Sequence, residues 1–162
     1  RSGPLLVNKT ERGLTLDFPV LSTTRIDTPP YVTMAMGQEP LEAHNGIDLL
    51  LLFASQAQVM ALSPNFPQLA QQPYRGVIAT AVGDDCDFVS RFFAPACGID
   101  EDPVTGSAHC ALTPYWAEKL GKKVLTARQV SARGGQLICE LSASRVLLSG
   151  KAVCYLSGHI HI

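Results

Sequence analysis

Only one stretch of this chain has the length and end signals of a substantial helix. It runs from Ser107 to Leu120, with Lys119 in its last turn, Gly121 as a C-terminal cap and Lys122 and Lys123 after it. Nearly everything around it reads as short strands and shorter helices, a pattern that fits one α+β domain. Pro114 interrupts the helix, since proline lacks a backbone donor and crowds the preceding turn. A kink is expected there, or a restart with Thr113 as cap. At 162 residues the chain can build one proper core and hardly two. A hydrophobic content of 46% against 17% charged residues excludes a disordered chain. Thirteen basic and fourteen acidic residues leave a net charge of −1, without the basic excess that nucleic-acid binding needs. The longest unbroken apolar run, Leu49 to Ala54, is too short to cross a bilayer, so no membrane partner is expected.

The strand pattern can be followed along the chain. Pro4 to Val7 reads as a strand with no lead-in and no initiator methionine, an odd opening for a complete protein. Glu11-Arg12-Gly13 marks a hairpin turn before the alternating strand Leu14 to Phe18, and Pro29-Pro30 argues against helix in that region. Ile47 to Ala54 predicts a buried strand. Ser55 with Gln58 in capping-box position then starts a short helix to about Leu62, and Ser63-Pro64 starts another that ends near Gln72. Further strands are predicted at Gly76 to Val82 and Phe88 to Phe93, with Asp84-Asp85 as a turn between them. After the long helix come Arg128 to Ala132, a Gly134-Gly135 turn, Gln136 to Leu141 and Arg145 to Leu148. A Ser149-Gly150 turn and a final strand, Lys151 to Leu156, complete the pattern.

Chemistry concentrates just before the long helix. Cys97 to His109 carries three acids, two hydroxyls, two glycines and a histidine. A helix N-terminus presents unpaired N–H groups and the positive end of the dipole, which suits a carboxylate or phosphate. Gly106 allows close backbone approach, Ser107 adds a hydroxyl, and Asp102 can hold an ammonium or hydroxyl of the same ligand. A plain acidic, well-capped helix start with no ligand fits the same residues. The segment is not a Walker loop, because the lysine and its spacing are missing.

The motif EDPVTGSAH, preceded by RFFAP (Arg91 to Pro95) and followed by QVSARGG (Gln129 to Gly135), resembles the phenazine-biosynthesis PhzF-like family. The resemblance extends from the first strand through SPNF (Ser63 to Phe66) to Ser149-Gly150. It implies a diaminopimelate epimerase-like fold: two pseudo-symmetric domains, each a barrel-like sheet curled round a central helix, with the active site between them. On this resemblance the chain, residues 1–162, is the second domain. The general-base glutamate and a Gly-His pair belong to a first domain absent here, either lost or carried by a separate fragment. Glu11, Glu39 and Glu42 do not sit in the glutamate's context. The resemblance implies catalytic or substrate-orienting roles for Asp102 and Ser107, with substrate contacts from Asp102, Thr105, Gly106 and Ser107. Thr105 stands where two-base epimerases carry a cysteine, which favours a single-base isomerase that needs no cofactor and no metal. Its substrate is then a small carboxylate-bearing molecule. A non-catalytic anion-binding or interaction module on the same scaffold is the other reading. Half a cleft around Asp102 and Ser107, with apolar side chains awaiting a partner, would favour the first, and a closed polar surface the second. The last strand, about residues 154–162, is expected to pair with the first domain or to be covered in a homo-oligomer.

Several residues also have structural readings. His109 is either a proton shuttle or a packed histidine with one nitrogen satisfied. Five irregularly spaced cysteines, with no secretory signal, read as buried reduced thiols of a cytoplasmic protein. Cys97 and Cys110 flank the site and are assigned to the core. Arg91 is read as a partner of the acidic run, Arg133-Gly134-Gly135 as a turn, and His159 with His161 as a metal pair lacking a third ligand.

Overall fold

The computed structural model describes residues 6–159. Its strands are β1 (Leu6–Thr10), β2 (Gly13–Pro19), β3 (Thr24–Ile26), β4 (Glu42–Asn45), β5 (Leu49–Leu52), β6 (Val77–Val82), β7 (Phe88–Ala94), β8 (Ile99–Asp102), β9 (Val124–Gln129), β10 (Gly135–Ser142) and β11 (Arg145–Gly150). The helices are α1 (Pro30–Met36), α2 (Gln56–Ala61), α3 (Phe66–Leu69) and α4 (Gly106–Leu120). The strands make one mixed sheet in the order β1-β2-β11-β10-β9-β7-β6-β5-β4-β3. Only β5–β6 and β7–β9 pair in parallel. The first half of β7 pairs with β9, up to Ser90 opposite Gln129. Its second half pairs with β8, Phe92 lying opposite Asp102. Asp102 and Gln129 thereby become neighbours along one side of the same strand.

Helix α4 packs into the curl of this sheet, against β9, β10 and β11 and across to β4 and β6. The sheet is an open curl and does not close into the expected barrel, since its order runs from β1 at one end to β3 at the other. One core lies between α4 and the sheet, with Leu50, Ile78, Phe88, Trp116, Leu125 and Val146 among its members. The second lies on the opposite face, where α1, α2 and α3 cover Leu49, Leu51, Val77, Val89 and Phe93. Burial on both faces explains why β5 reads as an unbroken run of leucines instead of an alternating strand. Among the described residues no helix is long and apolar enough to cross a membrane.

Helix α4 runs continuously through Pro114, so the helix does not restart there. The carbonyl that the proline's missing N–H would have served, that of Cys110, accepts instead from the N–H of Leu21 at 3.1 Å. A tertiary hydrogen bond replaces the helical one and ties the segment after β2 to the helix. Thr113 is no cap, because its hydroxyl donates back to the His109 carbonyl at 2.6 Å. Pro29-Pro30 does not exclude helix either: Pro30 opens α1, where its lost N–H has no partner to forfeit. Ser55 caps α2 as predicted, but α3 is capped by Asn65, two residues beyond Ser63. Strand β9 begins earlier than predicted and stops at Gln129, leaving Val130 to Gly134 as a turn. Strand β1 covers Leu6 and Val7 of the expected opening strand, whose first residues lie outside the described ones.

The expected final strand does not form, and residues 151–159 are exposed and without regular structure. Strand β11 lies inside the sheet, where Gly150 pairs with Leu14 of β2 and Ser149 with Ile138 of β10. Both neighbours end within about two residues of Gly150, so a continuation has nothing to pair with. His159 is not on a strand, and His161 lies outside the described residues.

Candidate functional site

The loop from Asp102 to Ser107 leads from β8 into α4 and is gripped from behind by the turn after β9. Gln129, 1% exposed, uses its whole amide for this. Its oxygen accepts from the Thr105 N–H at 2.8 Å. Its nitrogen donates to the Asp102 carbonyl at 2.6 Å and to the Thr105 hydroxyl at 3.2 Å. The Ser131 hydroxyl donates to the Pro103 carbonyl at 2.7 Å and accepts from the Gly134 N–H. Gly135 lies so close to Val104 that a Cβ there would come within 2.5 Å of it, so glycine is required by contact. Glycine in QVSARGG therefore shapes the loop's support, beyond making the turn that the sequence suggested.

Asp102, Thr105, Gly106 and Ser107 are brought together at this helix start. Thr105 occupies the N-cap position, yet its hydroxyl does not cap the helix and instead donates to the Asp102 carboxylate at 2.6 Å. The N–H groups of Gly106, Ser107 and Ala108 have no carbonyl one turn earlier to bond, as at any helix start. The first turn also carries no acid. Such a terminus offers N–H groups and a partial positive charge to an anion. The Ser107 hydroxyl accepts from the Arg75 guanidinium at 2.9 Å. Both residues line a cavity of about 220 Å³ with Phe18, Pro19, Leu21, Ile47 and Cys110.

The alternatives for the flanking residues resolve by burial. His109 is fully buried, and its Nδ1 donates to the Thr105 carbonyl at 2.7 Å, while Nε2 has no partner. Burial lowers its pKa to about 4, so it is neutral at neutral pH and acts as a packed histidine. Cys110 is a core thiol whose pKa burial raises to about 11, the reverse of activation. Cys97 is not in the core as expected: it is exposed, on the short turn Pro95–Cys97. Cys154 is also exposed and Cys86 half-buried, so only Cys110 and Cys139 match the expected buried thiols. Arg91 pairs with Glu101 at 2.7 Å and also donates to the carbonyls of Val59, Met60 and Leu62 at the end of α2, a structural tie. Glu42 is committed to Lys119, Tyr115 and His44, and the hydrogen bond from Lys119 brings its pKa down to about 2.

Sequence reasoning missed Asp48 and Arg75. The Asp48 carboxylate is 3% exposed, and both of its oxygens accept from Arg75. The available signal was a lone acid abutting a buried leucine strand, since a buried charge demands a partner. Its partner stands 27 residues later, and that spacing carries no local pattern.

Such an arrangement can receive a small anion at a helix start within an α+β domain with an open, curled sheet. The chain belongs to the PhzC–PhzF family of phenazine biosynthesis-like proteins, whose profile matches residues 9–158. It is 50% identical over its whole length to a protein of Pseudomonas aeruginosa named an uncharacterized isomerase, and covers 62% of that protein. The crystal structure of a PhzF-family phenazine biosynthesis protein from Enterococcus faecalis superposes with a TM-score of 0.94 at 42% identity, over 100% of this chain and 63% of that one. A putative PhzC/PhzF protein from Clostridium difficile gives 0.89 at 41% identity, over 98% and 61% respectively. The chain thus spans about 62% of the length of the curated relatives it matches.

Proposed function

We propose that this chain supplies the carboxylate-binding part of the active site of an isomerase that shifts a proton beside the carboxylate of a small acid without a cofactor. In this reading the N–H groups of Gly106 and Ser107 and the Ser107 hydroxyl receive the carboxylate. Asp102, steadied by Thr105, orients an ammonium or hydroxyl of the same substrate. Fixed dipoles of this kind stabilise the charge that develops when a proton leaves the adjacent carbon. The base is a glutamate on the part of the family's length that this chain does not span. That part would be the first of two pseudo-symmetric domains in a diaminopimelate epimerase-like arrangement. The complete enzyme would work in the cytoplasm as a homo-oligomer.

The observation that carries the reading is the N-cap residue whose hydroxyl is spent on Asp102, leaving the first N–H groups of a buried helix free for a ligand. The relatives' names support it, since several are called isomerases. The apolar lining beside Ser107, with Ile47 58% exposed at its rim, favours a half-built cleft over a closed polar module surface.

The test is solvent deuterium incorporation. A panel of small amino and hydroxy acids is incubated in D2O with the chain joined to the remainder of a family-length protein, and proton NMR follows the signal at the carbon beside the carboxylate. Exchange is expected for at least one acid, and Asp102→Asn and Ser107→Ala should each slow it tenfold or more with unchanged circular dichroism. Wild-type rates in both variants would remove the site assignment. No exchange with any acid would remove the isomerase reading.

A further inference from the structure

Ser107 is held from outside its own helix. The Arg75 guanidinium is fixed twice before it reaches the serine. Its Nε and Nη2 are bound by the buried Asp48 carboxylate, and its Cζ lies 5.7 Å from the centre of the Phe92 ring. The same Nη2 then donates to Ser107 Oγ at 2.9 Å. Arginine has only donors, so the serine oxygen accepts from Arg75 and the hydroxyl proton must point elsewhere. Both residues border the 220 Å³ cavity, whose other walls, Phe18, Pro19, Leu21, Ile47 and Cys110, are apolar. The hydroxyl proton therefore has few rivals for a ligand's acceptor on this side of the cavity.

We propose that Asp48 and Arg75 form a positioning relay that turns the Ser107 proton away from Arg75 and toward the ligand, so that this side of the site takes an acceptor such as a carboxylate oxygen. The proposal rests on the carboxylate reading above and adds to it the group that sets Ser107's direction. Arg75 is a positioning residue in this scheme because it acts through Ser107. Without the relay Ser107 regains its rotamers, and a free hydroxyl serves donors and acceptors alike.

The experiment is an amide NMR titration of the full chain with sodium isobutyrate, with isobutyramide and isobutylammonium as the neutral and cationic controls. Removing Arg75 alone would strand the buried Asp48 carboxylate, so the relay is cut with the neutral pair Asp48→Asn and Arg75→Gln, whose folding is checked by the spectrum itself. Isobutyrate should give saturable shifts at Gly106, Ser107 and Ala108 that neither control gives. The neutral pair should weaken that binding about tenfold, as should Ser107→Ala. Combining all three changes should be no worse than either alone, which is the mark of groups acting in series. Multiplying losses would mean that Arg75 does not act through Ser107, overturning the relay while the carboxylate reading stands. Unchanged affinity in the neutral pair would overturn it equally. No saturable shift at Gly106 to Ala108 in the unaltered chain would overturn both, and the absence of wild-type binding separates that result from the other two.

Discussion

At its C-terminal end α4 is finished by the fold. Gly121 adopts the left-handed conformation, φ 64°, and the N–H of Lys122 returns to the Ala117 carbonyl at 3.1 Å. Lys119 sits in the last turn, where the dipole favours a cation, and donates to Glu42 at 2.8 Å and to the Tyr115 hydroxyl at 3.0 Å. At the N-terminal end the same helix carries side chains able to cap it, and they are turned to other partners. Thr105 goes to Asp102 and Ser107 receives Arg75, while Gln129 fixes the loop from behind. One end is closed for stability. The other is held still with no side chain capping its first N–H groups, the condition expected where a ligand completes the structure.

The sharpest way to break this comparison is Gln129→Leu. It leaves the buried Thr105 N–H and the part-buried Asp102 carbonyl without partners, and about 3 kcal/mol of stability should be lost in urea unfolding. A loss below about 1 kcal/mol would mean that the loop is not held by Gln129. Acid titration reads the same end. His109 has a folded pKa of about 4 against an ordinary 6.5, so the unfolded chain takes up a proton first as the pH falls. Stability from neutral His109 is complete above pH 6.5 and declines to a loss of roughly 3 kcal/mol near pH 4. Unfolding free energies across that window should fall in the natural chain, and His109→Leu should remove this part of the slope.

The closed end should respond less, and in a different window. Glu42 has its pKa depressed to about 2 from 4.5, so its contribution is whole above pH 4.5 and disappears as the pH drops through 2. Glu42→Gln should cost about 1 kcal/mol at pH 7, since solvent at the partly exposed Lys119 screens the pair. That difference should vanish near pH 2, and a gap persisting there would assign the effect to packing. Smallest of all is the stability change for Ser107→Ala, expected within about 0.5 kcal/mol by thermal unfolding even though ligand binding is proposed to depend on this residue. A larger loss would make Ser107 a structural cap and erase the contrast between the ends.

Much of the fold was legible because it is written locally. Strand β5, the caps at Ser55 and Gly121, and the α4 helix all follow from periodicity and end signals a few residues long. The errors share a cause. A restart of the helix at Pro114 was one expectation because a sequence displays the missing donor but not Leu21, which supplies one from far along the chain. The strand after Gly150 was read from composition, and strands exist only where a neighbour is available to pair. In the site, Asp102 to Ser107 stood out as one contiguous segment. Asp48, Arg75 and the role of Gln129 did not, because their meaning lies in contacts made across 24 to 32 residues.

By itself, then, the sequence determined that the chain is a single α+β domain with one principal helix, and that its polar chemistry lies at that helix's start. Those properties depend on side-chain period and on caps, which act over a turn or less. Only the tertiary structure decided that β7 would divide its length between β8 and β9, setting Gln129 beside Asp102. It also decided that a buried carboxylate would direct Arg75 onto Ser107. Both outcomes come from satisfying polar groups once water has been excluded, and the partners that do so are chosen by the fold, wherever they lie in the chain.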